Sequence, residues 1–295
     1  MKIAIFGRVT DQTDFRILAE FFEFLRQKGL TYVIFSDYAV EMAPRLPSGM
    51  VDPLRDTFST REEIADCKFL FCFGGDGTVL EAVRFSGDLG KPILGVNFGR
   101  LGYLTSVPQT ELISATIDLL KDNYRIDQRA LLSVVSDPPG LFEANPFGIN
   151  DLTIHKLNTN EMITVRAYIN GEFLNNYWGD GLIVATPTGS TAYSLSCGGP
   201  IMFPTSQTFV ITPVAPHSLT VRPVVIPDSW VVSFEIQSRS GEAMVALDTR
   251  TEPVKSGTSI AVRKAPFTVS LLRMTTARHV DNLRRSLMWG SDYRN

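Results

Sequence analysis

The chain has 295 residues, of which 44% are hydrophobic and 20% charged, with a formal net charge of −3. This composition is typical of a globular protein long enough for two domains. The near-neutral charge and the lack of a Lys/Arg run argue against a general nucleic-acid binder. No apolar run approaches the roughly 20 residues that span a bilayer, and no leader pattern follows Met1. We therefore expect a cytoplasmic protein with small-molecule partners and no nucleic-acid or membrane partner.

The three cysteines, Cys67, Cys72 and Cys197, are odd in number and lack the paired spacing of a metal site. Buried reduced thiols are the favoured interpretation.

The chain begins with a strand, helix and strand. Residues 2–7 form an apolar run, and a helical pattern then leads to Gly29, which is typical of a helix end. A second apolar run covers residues 32–35. This order predicts a parallel sheet with right-handed crossovers. Residues 39–60 are rich in proline with little periodicity and predict a long exposed loop, followed by a short helix over residues 61–66.

A glycine-rich turn follows the next apolar run, residues 69–73. Gly74, Gly75, Asp76 and Gly77 precede a helical pattern. Glycines allow a ligand to approach the backbone closely, and a helix N-terminus offers free N–H groups to a phosphate. The turn taken alone is equally compatible with a tight strand-to-helix connection.

A second glycine-rich loop, residues 97–104, follows the strand predicted at residues 92–96. Because ligands of open α/β sheets bind at the carboxyl ends of strands, both loops are expected at one crevice.

After a helix predicted near residues 112–120, the pattern changes to short β-type runs. We place a domain boundary near residue 125. Asn170-Gly171 predicts a two-residue hairpin turn, since both positions need positive φ. Further strands are predicted at 131–135, 148–154, 162–169, 182–186, 208–212, 230–236, 243–247, 258–263 and 267–272. These frequent strands favour a sandwich or a related all-β layer. A short helix is predicted over residues 280–288.

The strongest pattern in the second half covers residues 179–194. A buried strand ends at Thr186, and small polar residues around Gly189 precede a predicted helix. Such hydroxyl and N–H groups bind ribose, phosphate or a base edge well, and Ser190 or Thr191 could at the same time be an ordinary N-cap. Tyr193 could stack on a base or lie in the core.

Other polar residues have two readings. Asn150-Asp151 at a strand edge could hold sugar hydroxyls, but Asn-Asp is also a common turn sequence. Asp248 at a strand end favours a turn, and His155, His217 and His279 are expected to be structural.

Three common motifs are missing from the sequence: the P-loop, a Gly-x-Gly-x-x-Gly after the first strand, and the Gly-x-Ser-x-Gly elbow.

These motifs, in their order along the chain, resemble NAD kinases of the bacterial type. The residues that carry the resemblance are 74–78, 99–104, 150–151, 180–199 and 215–223. The resemblance implies transfer of the terminal phosphoryl group of ATP, or of polyphosphate in some members, to the 2′-hydroxyl of the adenosine ribose of NAD. It implies ATP as co-substrate, a divalent cation such as Mg²⁺, and a homodimer or homotetramer. It also implies an α/β N-terminal, Rossmann-like domain (residues 1–125), a β-rich, sandwich-like C-terminal domain (126–275), and a tail (276–295) that returns to the first domain.

The resemblance also implies roles for individual residues. Asp76 would orient or deprotonate the attacking hydroxyl, and Tyr103 would lie near the adenine of NAD. Asp180 would reach the nicotinamide end, although the basic residue that often precedes it in the family is replaced here by Tyr177, Trp178 and Gly179. The remaining implied binding residues are Gly74, Gly75, Gly77 and Thr78 for phosphates, Asn150 and Asp151 for ribose and adenine groups, and Thr188, Ser190, Thr191, Ala192 and Tyr193 for the adenine pocket.

Two other function classes are compatible with part of this pattern. A module that senses NAD or NADP without turnover would keep the pocket of residues 180–199. A lipid kinase would share residues 74–78 but would give no reason for residues 186–193.

Overall fold

The computed structural model describes residues 1–99, 102–275, 283 and 284. The chain divides into two compact units. The first contains residues 1–127 and the described residues from 269 onward, and the second contains residues 128–268. The strands at the two boundaries, Tyr124–Asp137 and Ser259–Met274, contribute residues to both units.

The first unit is an α/β layer structure. Its strands are β1 Lys2–Gly7, β2 Thr31–Phe35, β3 Thr57–Phe58, β4 Phe69–Gly74, β5 Ile93–Asn97 and β6 Val107–Pro108. Its helices are α1 Phe15–Gln27, α2 Ser36–Met42, α3 Asp76–Ser86 and α4 Leu112–Leu120, with short 3₁₀ turns at Ala43–Arg45, Glu62–Ile64 and Gln109–Glu111. The alternation of strand and helix confirms the predicted α/β class.

The strand order of this sheet is β3-β2-β1-β4-β5, and the end of the strand Ser259–Met274 follows β5. The pairings within this series are parallel. The chain moves outward in one direction from β1 and then returns to start β4 on the other side of β1. The carboxyl ends of β1 and β4 therefore form a topological switch point, where open α/β sheets bind ligands.

The helix α1 shows how the sequence builds this unit. The Asp14 carboxylate caps its first turn by accepting the Arg16 N–H, and Gly29 takes a positive φ of 62° just beyond its end. Leu18, Phe21 and Leu25 are fully buried at helical spacing. They pack in one core with β-strand residues such as Phe71, and each such burial contributes about 1.5–3 kcal/mol.

The predicted exposed loop over residues 39–60 is wrong. Helix α2 and a 3₁₀ turn occupy residues 36–45, and the short strand β3 follows at residues 57–58. Tyr38, Met42, Leu46 and Val51 are buried in the core of the first unit. Their apolar side chains fix this segment, whereas its prolines had suggested an irregular chain.

The second unit is built of antiparallel sheets. Its strands are β7 Tyr124–Asp137, β8 Phe147–Gly148, β9 Asp151–Lys156, β10 Ile163–Ile169, β11 Glu172–Gly179, β12 Gly181–Ala185, β13 Thr208–Val214, β14 Val224–Pro227, β15 Val232–Gln237, β16 Glu242–Leu247, β17 Arg250–Lys255 and β18 Ser259–Met274. One sheet has the order β11-β10-β15-β18, with β7 beside β18, and the other has the order β14-β13-β12-β9-β16-β17.

Side chains from both sheets share one core. Val165 and Phe234 from the first sheet belong to the same buried cluster as Ile154, Leu182 and Val245 from the second. Strands β10 and β15 alternate between buried and partly buried residues, as a sheet with one covered face requires. The sandwich-like class is confirmed.

Strand β12 is buried along its whole length. Leu182 and Val184 belong to the core between the sheets, whereas Ile183 and Ala185 belong to a second cluster with Val210. Because successive side chains of a strand face opposite sides, a strand covered on both faces must be continuously apolar. This explains the unbroken apolar run that ends at Thr186.

Several local predictions can be compared with the second unit. Asn170 and Gly171 both have positive φ, 50° and 84°, between β10 and β11, so the hairpin is confirmed. The two strands predicted at 258–263 and 267–272 are one continuous strand, β18, and β14 and β17 were missed. The helix predicted over residues 280–288 and the returning tail lie outside the described residues, apart from residues 283 and 284.

Cys67 and Cys72 are buried free thiols, and Cys197 is a partly exposed free thiol. Within the described ranges, the structure contains no helix long and apolar enough to cross a membrane.

Candidate active site

The glycine turn, residues 74–77, lies at the carboxyl end of β4 and leads directly into helix α3. Gly75 is the N-cap residue and Asp76 is the first residue of the helix. A side chain at Gly74 would collide with Thr78, whereas a Cβ at Gly75 or Gly77 would meet no described atom within 4 Å. Gly75 and Gly77 are exposed, so the surface beside this helix N-terminus is open to a ligand.

The Asp76 carboxylate is bound by the loop of residues 102–105. The Tyr103 N–H donates to Oδ2 at 2.7 Å, and the Leu104 and Thr105 N–H groups donate to Oδ1 at 3.0 Å each. The Thr105 hydroxyl also donates to Oδ1, at 3.2 Å. These donors connect the glycine turn to the second glycine-rich loop and orient the carboxylate.

The 102–105 loop is itself held by Asn97 at the end of β5. The Asn97 side chain donates to the Thr105 hydroxyl at 3.0 Å and accepts the Gly99 N–H. Asn97 and Thr105 are both buried, at 3% and 0% exposure. The sequence gave neither residue a role, because a single amide and a single hydroxyl with these partners form no recognisable motif.

Tyr103 is half-buried beside Asp76. The burial of the ring raises the pKa of the Tyr103 phenol, and the nearby Asp76 charge raises it further. The hydroxyl oxygen is buried and has no hydrogen-bond partner among the described residues. The structure thus places Tyr103 in one cluster with Asp76, Gly102 and Thr105, as two converging glycine loops at one sheet edge require.

Gly102 has no room for a side chain, because a Cβ there would overlap the Asp76 carboxylate. In Gly102→Ala the carboxylate must leave part of its amide donors, so we expect the free energy of unfolding to fall by about 1–3 kcal/mol. Urea unfolding measures this loss. Gly77→Ala is the matched control, because its Cβ meets no described atom within 4 Å and alanine favours the helix. Equal stability of Gly102→Ala and the wild type would contradict the observed contact.

Asp248 organises the Asn150–Asp151 segment in the second unit. Its carboxylate accepts the N–H groups of Ile149, Asn150 and Asp151 at 3.0, 2.8 and 3.3 Å. Asp248 has a positive φ of 52° in the turn between β16 and β17. The predicted turn at Asp248 is confirmed, but the sequence gave no sign that its carboxylate fixes a loop 97–99 positions away.

Asp151 begins β9 and is 7% exposed. Burial and, next, the Asp248 charge raise the pKa of Asp151 to about 7, against the opposing effect of a hydrogen bond from the Thr153 hydroxyl. Burial also raises the pKa of Asp248, against the effect of its three backbone donors and of Arg250. Asn150-Asp151 is therefore a strand start with a buried carboxyl group that titrates near neutral pH.

Because Asp151 keeps its proton in the folded chain up to about pH 7, while the unfolded group loses it near 3.8, stability falls as pH rises through this window. We expect Asp151→Asn to remove most of this slope and to gain roughly 1–3 kcal/mol relative to the wild type between pH 5 and pH 8. Urea unfolding at both pH values measures the difference. Glu172→Gln, an exposed change on β11, is the control and should leave the slope intact; a wild-type slope in Asp151→Asn would contradict the assignment.

The segment from Thr186 to Tyr193 packs directly on Asn150. The Thr186 N–H donates to the Asn150 carbonyl at 2.9 Å, and the Thr186 hydroxyl donates to the Ile149 carbonyl. A side chain at Gly189 would collide with the Asn150 backbone. The two polar motifs of the second half therefore form one surface.

The side chains of this segment divide into internal and exposed groups. The buried Ser190 hydroxyl donates to the Pro187 carbonyl at 2.7 Å and accepts the Met202 N–H at 3.0 Å, and the Thr191 hydroxyl donates to the Thr188 carbonyl at 3.1 Å. Neither residue is a side-chain N-cap, so the N-cap reading is wrong. The Thr188 hydroxyl accepts a hydrogen bond from the buried Arg129 at 3.2 Å. Tyr193 is 41% exposed, which excludes the core reading.

Asp180 lies between β11 and β12 and forms an ion pair with Lys156 at 2.7 Å. Next to Lys156, the His155 ring lies 5.5 Å from the Tyr193 ring, centroid to centroid. Burial lowers the pKa of His155, and Asp180 opposes this effect. Asp180 thus has a cationic partner from β9, although none of the three residues immediately before it is basic.

Two family models match the chain. The ATP-NAD kinase N-terminal domain matches residues 3–124, and the ATP-NAD kinase C-terminal domain matches residues 149–274. The chain is 39% identical over 298 aligned residues to an NAD kinase of Cytophaga hutchinsonii, with all of both chains covered. It is 43% identical over 226 residues to an NAD kinase of Porphyromonas gingivalis, with 77% of each covered. The chain belongs to the ATP-NAD kinase family.

Two solved structures share the fold. The yeast NADH kinase complexed with NADH superposes with a TM-score of 0.85 at 23% identity, covering 99% of this chain and 89% of the other. An NAD kinase from Archaeoglobus fulgidus in complex with ATP superposes with a TM-score of 0.73 at 20% identity, covering 98% of each chain.

Proposed function

We propose that the chain transfers the terminal phosphoryl group of ATP to the 2′-hydroxyl of the adenosine ribose of NAD, which gives NADP. Its family membership supports the overall reaction. One structural observation supports Asp76 as the catalytic residue. Asp76 is an oriented carboxylate at a helix N-terminus, beside glycines that leave the surface open.

The glycine turn is the proposed site for the phosphates of ATP. Gly74, Gly75, Gly77 and Thr78 lie at the switch point of the sheet, where β4 ends and α3 begins. The N-terminus of α3 presents backbone N–H groups and the positive end of the helix dipole, both of which favour anions.

Asp76 is the proposed group that orients or deprotonates the 2′-hydroxyl. Its Oδ1 atom accepts the Leu104, Thr105 N–H and Thr105 O–H donors, whereas Oδ2 accepts the Tyr103 N–H. A carboxylate oxygen has room for a further partner beyond one donor, so Oδ2 is the atom that can receive the ribose hydroxyl. Phosphoryl transfer depends mainly on positioning and charge neutralisation, which such a pre-oriented group supplies.

A divalent cation such as Mg²⁺ neutralises phosphate charge when it is bound. It prefers oxygen ligands and is usually held by one or two carboxylates together with the substrate phosphates. Among the described residues, no group of three or more His, Cys, Asp or Glu side chains could hold a metal ion, and Oδ2 of Asp76 is already assigned to the ribose hydroxyl. We therefore propose that the ion is held by the substrate phosphates and assign it no ligand from this chain.

The second unit supplies the proposed NAD-binding surface. Asn150 and the ionised form of Asp151 offer groups for the ribose and adenine, and Tyr193 offers an exposed ring for stacking. Asp180 is proposed to reach the nicotinamide end. Tyr103 is proposed to lie near the adenine. For Thr191 we propose binding through the backbone, because its hydroxyl donates to the Thr188 carbonyl. Ser190 is fully buried, and its N–H and hydroxyl donate to the Thr186 and Pro187 carbonyls. We propose that Ser190 supports the adenine pocket by holding the turn that carries Thr188 and Ala192.

We expect Asp76→Asn to lower kcat by about 10² or more, because a general base contributes on the order of 10²–10⁴. Asparagine retains an acceptor for Leu104 and Thr105 but presents an amide nitrogen to the Tyr103 N–H. A coupled NADP assay gives kcat, and calorimetric titration gives the affinity for NAD, which should change little.

The control for this variant is Asp122→Asn, which removes only an exposed ion pair with Lys68; such pairs contribute about 0–1 kcal/mol. Near-normal turnover of Asp76→Asn would disprove the role of Asp76. Binding of NAD by the wild type with no consumption of ATP would favour the sensor instead. Phosphorylation of diacylglycerol in place of NAD would favour the lipid kinase.

We also propose that the chain forms a homodimer or homotetramer. Strand β11 is at the edge of its sheet and exposes Phe173 and Trp178, at 58% and 41%. Exposed apolar side chains on an open strand edge favour association. Light scattering coupled to size-exclusion chromatography measures the number of subunits.

A further inference from the structure

Arg273, near the end of β18, contacts the 102–105 loop on the side opposite Asp76. It is 5% exposed. Its Nη2 donates to the Tyr103 carbonyl at 2.9 Å, and its Nη1 donates to the Leu104 carbonyl at 3.3 Å. The guanidinium therefore spans two successive carbonyls, a geometry that suits its planar arrangement of donors.

These two carbonyls belong to the same peptide groups that bind Asp76. The Tyr103 carbonyl shares a peptide plane with the Leu104 N–H, and the Leu104 carbonyl shares one with the Thr105 N–H. Both N–H groups donate to Asp76 Oδ1 at 3.0 Å. In a planar trans peptide the C=O and N–H groups point in opposite directions. Arg273 and Asp76 thus hold the same two peptide planes from opposite sides.

This arrangement has an electrostatic consequence. A cation on a carbonyl and an anion on the N–H of the same peptide polarise that peptide in the same sense, which strengthens both hydrogen bonds. Asp127 lies 3.6 Å from Arg273 Nε, and both side chains are nearly buried. The carboxylate of Asp127 offsets the cost of burying the guanidinium.

We infer that Arg273 is a positioning residue for phosphoryl transfer: it fixes the two peptide groups that orient the Asp76 carboxylate. The inference rests on the proposed role of Asp76. Arg273 contacts backbone atoms of the loop and acts on the reaction only through them. Its contribution should therefore appear in kcat, where carboxylate orientation matters, more than in the KM for NAD.

The test compares Arg273→Lys with the wild type. Lysine keeps the charge beside Asp127 but cannot span both carbonyls with a planar fork. Hydrogen bonds to charged groups contribute about 1.5–3 kcal/mol, so we expect kcat to fall by roughly tenfold to a hundredfold, with the KM for NAD within about twofold. The full-length variant and its wild type are assayed for NADP formation.

A second measurement separates this role from general stability. Native-state hydrogen exchange should accelerate at the Leu104 and Thr105 amides by about tenfold or more in Arg273→Lys, since the carbonyls of the same two peptide groups lose the guanidinium that spans them. The core amides of β1 and β4 should keep their wild-type rates. Arg125→Lys is the matched control: Arg125 donates to the Thr275 carbonyl at 3.3 Å and has no proposed role, so its kcat should be unchanged.

A double-mutant cycle completes the design. If Arg273 acts through Asp76, the lysine change should cost less than about twofold in the Asp76→Asn background. Unchanged exchange at Leu104 and Thr105, unchanged kcat, or the same loss in both backgrounds would overturn the role of Arg273. A wild-type chain that forms no NADP would instead overturn the proposed function, and the exchange measurement does not depend on it.

Discussion

The hydrogen bonds between the Asp76 carboxylate and the amides of residues 103–105 are the interaction on which the first unit's site depends. They join the turn after β4 to the loop after β5, two segments that share only a sheet edge. Gly102 is required because a side chain would occupy the carboxylate's position. Asn97 and Arg273 then hold the same loop from the strand ends. A carboxylate fixed in this way needs little reorganisation during phosphoryl transfer.

In the second unit, too, a carboxylate binds consecutive backbone N–H groups, but here it is buried beside a second carboxyl group. Asp248 accepts three consecutive backbone N–H groups and so holds the segment that contains Asn150 and Asp151. Here, however, a second carboxyl group is buried beside the first, which raises the pKa of Asp151. The unfavourable interaction between the two carboxyl groups lies at a segment that packs against Thr186 and Gly189. Energetic cost of this kind is commonly concentrated at functional sites.

The fold of this chain is shared widely, whereas the ion pair at Asp180 depends on particular residues. The fold is shared with kinases of only 20–23% identity, so layer architecture tolerates extensive substitution. The charge partner of Asp180 depends on particular residues. Lys156 on β9 supplies a cation that the residues just before Asp180 do not provide. The charge that β11 lacks before Asp180 is thus supplied by β9, which pairs with β12 just after Asp180, and Lys156 lies 2.7 Å from the Asp180 carboxylate.

The sequence by itself determined the features that depend on neighbouring residues. The parallel start of the sheet, the glycine turn into α3 and the Asn170-Gly171 hairpin follow from periodicity and from the φ values that glycine and asparagine permit. Only the tertiary structure decided how the site is held. Asp248 and Asn150 are 98 positions apart, and Arg273 and Tyr103 are 170 positions apart. In both cases the partner is a backbone amide or carbonyl, which every residue carries. Side-chain-to-backbone contacts between distant segments therefore leave no pattern in a single sequence, and the chain must fold before they can be identified.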